Sequence, residues 1–259
     1  MVKNKLSTKN IIIAIIVLGI ILYSFMGIDF SSARFSLEFA RTAFVGMFHP
    51  DWSYVSDGTS EDLLSLLGLT LAIAFLGTTI ASIISLPLSM ISANNIFKNN
   101  VIFSKLGKFI CDILRAFPEL IYAIIFVTIV GPGPFAGVMA IAISQIGMLG
   151  KLYTDEWESI DQAPVEAMNA VGANFWQVLF FARIPQLTAK FFSLSLNHFE
   201  IALRSATILG LVGAGGLGAP IIFAIQARNW PRVGIILLGI IITILIVDQF
   251  SGLVRKKLQ

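Results

Sequence analysis

The sequence predicts an all-α, polytopic membrane protein of about six transmembrane helices with one long polar loop. Hydrophobic residues make up 56% of the 259 residues and charged residues only 13%, whereas soluble domains average about 25% charged residues. The mean hydropathy is +0.86. Apolar runs near the ~20 residues that cross a hydrocarbon core recur along the chain. A bilayer is therefore the expected solvent for most of the surface.

The first predicted span covers residues 11–28 and follows a lysine-rich start. A cleaved signal peptide has the same basic start, but its apolar run is shorter and a small-residue cleavage site follows it. We therefore expect an uncleaved anchor. Residues 29–62 predict a polar connector outside the membrane, in which the apolar spacing indicates an amphipathic helix at 34–48 along the membrane surface.

Five further spans are predicted from apolar runs and from the turn signals between them. They cover residues 63–93, 109–130, 135–150, 191–212 and 233–250. Residues 94–108 predict a basic loop, and residues 151–190 predict the long polar loop. The chain thus divides into an anchor with its connector, residues 1–62, and a transmembrane core, residues 63–255, that includes the polar loop.

The distribution of lysine and arginine predicts the orientation, because cytoplasmic loops are enriched in both. Loops on the side of the two termini carry twelve of these residues, and loops on the other side carry four. This places both termini in the cytoplasm. An even number of spans is then required, and six satisfies it.

Several classes of function are excluded by what the sequence contains. The one cysteine, Cys111, excludes a disulfide framework within the chain, and His49 and His198 are too few and too far apart for a zinc site. No paired carboxylates, histidine cluster or Ser/His set occurs in plausible register, so no catalytic, cofactor-binding or metal-binding residue is predicted. The net charge of +3 sits mainly at the ends and in loops. It reports topology, and no nucleic-acid partner is expected.

The long polar loop predicts two short helices that meet at a glycine. Pro164 suits the first turn of a helix, where its missing N–H costs nothing, and Glu166 complements the positive helix end. Gly172 can adopt backbone angles that other residues avoid, and the small Ala173 keeps the corner thin. Pro185 ends the second helix or starts the next span. We expect a compact helix-turn-helix on the cytosolic face.

The order Glu166-Ala167, Gly172 and then Pro185 resembles the signature loop of ABC importer permeases, at that family's spacing. Met168 stands where the family usually has a second alanine. The resemblance implies that the loop inserts into a groove on an ATP-hydrolysing subunit, whose closure swings the permease between inward- and outward-facing states. The implied coupling residues are Glu166, Ala167, Gly172, Ala173 and Pro185. This chain has no phosphate-binding P-loop, so ATP and Mg²⁺ are expected on that separate subunit, and the chain is not expected to be an enzyme.

Further motifs, spread over most of residues 63–255, resemble permeases of phosphonate-type importers. The motifs are Arg115-Ala116-Phe117-Pro118-Glu119, residues 131–137, residues 147–151, and residues 200–218. That family imports phosphonates and related phosphorus oxyanions such as phosphite or phosphate. The resemblance implies a multi-pass protein of the bacterial inner membrane. It would work as a homodimer with two ATP-binding subunits and an external binding protein, because one chain offers one coupling loop while two ATPase subunits need docking.

Charged residues inside predicted spans are candidates for the translocation pathway, because each costs at least ~2.5–3.5 kcal/mol at the centre of a span. Glu200 and Arg204 lie four residues apart, as do Arg115 and Glu119, so each pair shares a helix face. Two interpretations stay open. Either the pairs are structural ion pairs that lock helices, or Arg204 lines the pathway and lowers the barrier for an oxyanion. Asp248 lies near the inner end of the sixth span.

The glycine-rich break after the fifth span also has two interpretations. Gly213, Gly215 and Gly216 allow close helix packing, or they form a hinge for a gate at the outer mouth of the pathway. The run from Gly213 to Gly218 also matches a dinucleotide-binding fingerprint, but no strand precedes it and no acidic residue follows at the required distance. We regard that match as accidental.

A rival function is an ion-coupled secondary transporter in which Glu200, Arg204 and Glu119 form a proton relay. Such proteins are commonly built from inverted repeats, and the two halves of this sequence share no motif. The rival also leaves the polar loop without a role.

Overall fold

The computed structural model describes residues 8–26, 36–56, 58, 61–96 and 101–258, and every regular element among them is helical. The eleven α-helices of this part are α1 Thr8–Met26, α2 Leu37–Met47, α3 Leu63–Ser92, α4 Val101–Ala116, α5 Glu119–Val130, α6 Pro134–Glu158, α7 Ala163–Ala170, α8 Phe175–Val178, α9 Ile184–Leu209, α10 Gly218–Gln226 and α11 Trp230–Leu258. Short 3-10 helices cover Trp52–Val55 and Gly210–Val212, and a π-helical turn covers Leu179–Arg183. The all-α prediction is confirmed.

The chain forms two compact units, residues 1–43 and residues 44–259. The first unit contains α1, which overlaps the predicted first span; residues 27–28 of that span lie outside the described part. The apolar stretch of α1, Ile12–Met26, is shorter than the helices that are long enough to cross a membrane. Helix α2 lies within residues 34–48, where a helix is expected; residues 34–35 lie outside the described part, and a position along the membrane surface stays a prediction. A functional division at residue 62 stays a prediction.

Helices α3, α6 and α9 form the centre of the second unit, and small residues let α3 approach α6 closely. A Cβ added to Gly77 of α3 would lie 2.8 Å from Ile141 Cγ2 of α6. Ala74 and Ala140 are fully buried in the same apolar cluster. Ser85 adds a hydrogen bond between the helices, from its hydroxyl to the Ile146 carbonyl at 3.2 Å. Close backbones with small side chains are the packing expected inside a membrane.

Three predicted spans coincide with helices that are long and apolar enough to cross a membrane, namely α3, α6 and α11. Helix α6 does not end near residue 150 as predicted but continues to Glu158. Tyr153 and Trp157 are buried on one side of this extension, and Trp157 Nε1 donates to Ser89 Oγ at 3.2 Å. The charged residues between them lie on the solvent side. The polar loop therefore begins at residue 159 and not at 151.

The third predicted span, residues 109–130, is wrong as a single helix. The chain forms α4 and α5 instead, bent by 81° at the break between them. Pro118 has no N–H to continue the helix and disfavours the helical conformation of Phe117 before it. Helix α4 also starts at Val101, inside the predicted basic loop. Its buried Gly107 and Cys111 mark the side that packs on the core.

Helix α9 contains residues 191–209 of the fifth predicted span, and the last three residues of that span form the 3-10 helix Gly210–Val212. The helix begins earlier than predicted, at Ile184, and the π-helical turn leads into it without interruption. Helix α9 is long enough to cross a membrane, but it is not as apolar as the membrane-crossing candidates α3, α6 and α11. Asn197, His198, Glu200 and Arg204 lower its hydropathy. Among the described helices, three are long and apolar enough to cross a membrane, or four if α4 and α5 are one bent span. Six spans in total therefore stay a prediction.

Candidate functional site

The polar loop folds into two short helices that meet at Gly172, as predicted. We call residues 159–185 the elbow. Gly172 has a φ of +80°, and its N–H donates to the Asn169 carbonyl at 3.0 Å. A Cβ at this position would meet no atom within 4 Å. The turn therefore needs glycine for its backbone conformation and not for space.

Side-chain hydrogen bonds lie at the start of each helix of the elbow. Asn174 Oδ1 accepts from the Gln177 N–H at 2.9 Å, and Gln177 Oε1 accepts from the Asn174 N–H at 2.8 Å. This capping box starts α8. The Ala163 N–H donates to Asp161 Oδ1 at 3.0 Å, and Pro164 occupies the first turn of α7. Sequence reasoning used Pro164 but missed the Asn-x-x-Gln spacing, which is a recognised helix-start signal.

The inner face of the elbow is anchored in an apolar cluster at the ends of α3 and α6. The cluster consists of Ala93, Ile96, Trp157, Ile160, Val165, Val178, Leu179, Ala182 and Leu187. Gln186 also closes the elbow with polar contacts. Its Oε1 accepts from the Asp161 N–H at 3.1 Å, and its Nε2 donates to the Ala182 carbonyl at 2.7 Å. Apolar burial and these hydrogen bonds hold the elbow as one rigid piece.

The outer face of the elbow is open and partly apolar. Val171 is 80% exposed at the corner, and Trp176 and Phe181 are also exposed. A hollow of about 410 Å³ beside the corner is lined by Met168, Val171, Gly172, Ala173, Gln177 and Phe181. The implied coupling residues Glu166, Ala167, Gly172 and Pro185 are exposed on the elbow, and Ala173 is half-buried. Exposed apolar side chains on a rigid element are typical of a protein-binding surface.

Ion pairs connect the helices at the same end of the bundle. Lys108 Nζ of α4 lies 2.8 Å from Glu158 Oε1 of α6, and that oxygen also accepts from the Asn94 N–H at 3.0 Å. Lys190 Nζ of α9 lies 2.6 Å from Glu156 Oε2 of α6. These bonds tie α4 and α9 to the end of α6, next to the elbow.

Arg183, which sequence reasoning did not single out, is buried in the π-helical turn. Its Nη2 donates to the Asn95 carbonyl at 3.3 Å, while Nε and Nη1 have no hydrogen-bond partner among the described residues. Burial lowers the pKa of this guanidinium from its ordinary value, because the charged form loses water. Arg183 thus joins the elbow to the loop after α3.

Glu200 and Arg204 do not pair with each other, contrary to one interpretation of their spacing. Glu200 Oε1 lies 2.7 Å from Arg255 Nη2, and Arg204 Nη2 lies 3.1 Å from Asp248 Oδ2. Helix α11 packs beside α9 and offers each residue an opposite charge. The first pair is largely buried, with the Glu200 side chain 9% exposed, whereas the Arg204 side chain is 51% exposed.

Arg115 and Glu119 do not pair either, because the bend at Pro118 puts them on different helices. Arg115 Nε lies 3.0 Å from Asp112 Oδ1 one turn earlier on α4, and both side chains are exposed. Glu119 is half-buried at the start of α5, and its carboxyl group lies close to the Ser205 side chain of α9. The four-residue rule for helix neighbours fails here since no continuous helix joins the two residues.

The glycine-rich break forms a tight turn after α9. Its positive φ angles are +88° at Gly213, +85° at Gly215 and +74° at Gly216. The following Leu217 N–H donates to Thr70 Oγ1 of α3 at 3.2 Å. The Gly133 N–H, just before α6, donates to the Gly213 carbonyl at 2.8 Å. The turn is thus packed against the starts of α3 and α6, which supports the packing interpretation, while a gate stays a prediction.

Comparison with known proteins shows that the sequence is similar to membrane components of transport systems. Residues 85–259 match the family described as "Binding-protein-dependent transport system inner membrane component". The phosphite transport system permease protein of Stutzerimonas stutzeri is 38% identical over 190 residues, which cover 73% of this chain and 69% of that protein. The phosphate-import permease protein of Mycolicibacterium smegmatis is 36% identical over 202 residues, which cover 78% of this chain but only 38% of that longer protein.

Solved structures show the same fold. A chain of the MetNI methionine ABC transporter, in an inward-facing form, superposes with a TM-score of 0.65 at 18% identity, covering 76% of this chain and 96% of that one. In this family the permease is a membrane component and ATP is hydrolysed by a separate subunit. The comparisons give no support to the rival secondary transporter. The chain belongs to the family of binding-protein-dependent transport system inner membrane components and is a permease subunit of an ABC importer.

Proposed function

We propose that the chain forms the membrane pathway of an ATP-driven importer for phosphonate or a related phosphorus oxyanion, phosphite or phosphate. Relatives at 36–38% identity are named as phosphite and phosphate permeases, which supports this substrate class. A half-exposed guanidinium on a membrane helix, Arg204, suits a phosphorus oxyanion because its planar donors match phosphate geometry.

The elbow is the surface that docks on the ATPase subunit. The observation that carries this proposal is its two-sided construction, with an inner face anchored in the apolar cluster and an outer face left open. A conformational stroke needs a stiff element to transmit it, and the elbow is stiff. Glu166, Ala167, Gly172, Ala173 and Pro185 are the proposed contact residues.

Both termini and the elbow lie on the cytoplasmic side of the bacterial inner membrane. The twelve-to-four excess of lysine and arginine supports this orientation. Helix α11 also ends with Arg255, Lys256 and Lys257 in its last turn. Residues 1–62 then act as the anchor and external connector of the core at 63–255.

The working assembly contains two copies of this chain, two ATP-binding subunits and one extracytoplasmic binding protein that delivers the substrate. One elbow per chain and two ATPase subunits to engage support a homodimer. Selectivity resides mainly in the binding protein, because a pathway that must release its cargo holds it weakly.

The pathway residues that we propose lie on α4, α5 and α9 and in the glycine-rich turn after α9. They are Arg204, Glu200, Arg115, Glu119, Gly213, Gly215 and Gly216. The proximity of Glu119 to Ser205 and the exposure of Arg204 support a polar surface along α9. The glycine turn at the end of α9 is the proposed gate.

Two substitutions in the elbow test the coupling role in the complete transporter. Gly172→Pro removes the N–H that bonds the Asn169 carbonyl and forces φ to about −65°. Glu166→Lys reverses an exposed charge. Both variants are expected to insert normally but to hydrolyse ATP without accumulating substrate in proteoliposomes. Gly172→Asn is the matched control, because asparagine tolerates positive φ. Normal uptake in both test variants would refute the coupling role.

The energy source and the substrate class are tested separately. Uptake should stop when ATP is depleted and should survive collapse of the proton gradient. Binding of labelled methylphosphonate, phosphite and phosphate to the partner binding protein then identifies the cargo. Uptake that follows the proton gradient would favour the rival transporter.

A further inference from the structure

The exposed face of the C-terminal half of α9 carries one charged residue among apolar ones. Ile201 and Ile208 are exposed at 39% and 55%, Leu211 of the following 3-10 helix is exposed at 42%, and Arg204 lies between them at helical spacing. Contact with acyl chains is unfavourable for an exposed ion pair, since hydrocarbon does not solvate charge. This face is therefore one that water or protein covers.

The contact between Arg204 and Asp248 is weak by its geometry. Only Nη2 of the guanidinium reaches the carboxylate, at 3.3 Å from Oδ1 and 3.1 Å from Oδ2. A strong arginine–carboxylate pair uses two nitrogens on two oxygens. No other hydrogen bond of this guanidinium occurs within the described chain, so Nε and Nη1 remain open to a second anion.

The neighbouring pair shows what a fixed contact looks like on the same two helices. Glu200 and Arg255 meet at 2.7 Å with the carboxylate largely buried. That pair and the packing of α11 beside α9 join the two helices independently of the Arg204–Asp248 contact. The open pair at Arg204 and Asp248 is thus free to break without separating the helices.

We propose that Asp248 is a built-in counter-anion, which occupies Arg204 between transport events and is displaced when a phosphorus oxyanion passes. The guanidinium then exchanges one carboxylate contact for a two-nitrogen contact with the oxyanion. The negative charge of Asp248 remains close to the bound oxyanion and repels it, which speeds the release of the oxyanion from Arg204. This inference rests on the proposed function and extends it, because it assigns Asp248 the task of release.

The test uses the permease–ATPase complex in nanodiscs, without the binding protein, so that anion binding to the permease is measured directly. Thermal unfolding is followed while inorganic phosphate or phosphite is titrated, with sodium chloride of equal ionic strength as the reference. In Asp248→Asn the half-saturating anion concentration should fall by about two- to fivefold, the factor that corresponds to an exposed ion pair. Arg204→Gln should abolish the effect. Gln249→Ala, an exposed neighbour on α11, serves as the control and should match the wild type.

The outcomes separate this inference from the proposed function. An unchanged half-saturating concentration in Asp248→Asn, or stabilisation that persists in Arg204→Gln, would overturn the counter-anion role. If Asp248→Asn fails to assemble, Asp248→Ser decides, since it also removes the counter-charge and must lower the half-saturating anion concentration. Failure of the wild-type complex, with its binding protein, to import phosphate, phosphite or methylphosphonate would instead refute the proposed function.

Discussion

Glu200 shows how one buried charge depends on a partner that is distant in the sequence. Its carboxylate is largely buried and meets only Arg255 among the ion pairs of the described chain. Loss of one member of a buried pair leaves an uncompensated charge, which costs more than the pair contributes. The partner lies 55 positions away, so spacing within α9 gave no sign of it.

Arg255→Gln should therefore destabilise the protein by about 3 kcal/mol, the lower end for buried pairs, because Arg255 itself keeps some solvent contact. Thermal unfolding of the purified permease in nanodiscs measures the change. The double variant Glu200→Gln/Arg255→Gln should recover part of the loss. Lys256→Gln is the control at an exposed position of the same turn. Equal unfolding temperatures for Arg255→Gln and Lys256→Gln would contradict the assignment.

Gly218 is limited by space. A Cβ on Gly218 would overlap the backbone of Gly210, so α10 can start against the end of α9 only without a side chain there. Close backbone contact of this kind also explains why the break after α9 is so rich in glycine.

Gly218→Ala should lower stability severely, by at least ~2 kcal/mol, because the obstructing atoms are backbone and cannot rotate away. Gly252→Ala provides the contrast, since a Cβ there meets no atom within 4 Å and sits inside α11. That change should stabilise by up to about 1 kcal/mol. Melting curves of both variants that match the wild type would show that the α9–α10 contact is looser than described.

Helix α8 has four residues and cannot persist as an isolated helix. The capping box of Asn174 and Gln177 satisfies its first donors, and the burial of Val178 attaches it to the apolar cluster. The start of α8 therefore depends on its capping box and on burial in the apolar cluster.

Asn174→Ala should cost about 1 kcal/mol of local stability, because it removes the cap. The amides of residues 175–178 should exchange hydrogen faster, and uptake per ATP hydrolysed should fall. Asn174→Ser retains a capping oxygen and should behave like the wild type. Identical exchange in the alanine and serine variants would show that the cap contributes nothing to the elbow.

Helix boundaries were predictable where a local signal marks them. Proline at the start of α7 and glycine at the corner correctly indicated the elbow. The end of α6 was misplaced because residues 151–158 look polar, although Tyr153 and Trp157 are buried on one side. The break at Pro118 was visible as a proline, but its 81° bend depends on how α4 and α5 pack on α6.

For the molecule as a whole, the proposed orientation places the elbow and the segment before α3 on opposite sides of the membrane. Both regions offer exposed positions for labelling. Val171 is 80% exposed at the corner of the elbow, and Ser56 is exposed before α3. The native Cys111 is buried and can be replaced by alanine without new charge.

In a Cys111→Ala background, a membrane-impermeant maleimide should label Ser56→Cys in intact spheroplasts. It should label Val171→Cys only in inside-out vesicles, because the elbow faces the cytoplasm. Addition of the ATPase subunit should slow labelling of Val171→Cys if the elbow is its docking surface. Labelling of Val171→Cys in intact spheroplasts would reverse the proposed topology.

Composition and local signals were enough to predict a helical membrane protein with a glycine-centred elbow, whereas the permease function was inferred from the resemblance of its motifs to a known family. These properties follow from single residues and short spacings, since hydropathy, proline, glycine and caps act within a few positions of the chain. The partners of Glu200, Arg204, Arg115 and Glu119 did not follow in this way. Ion pairing depends on which helices become neighbours and at what height, and that is a property of the packed bundle, where α11 supplies the charges that α9 needs.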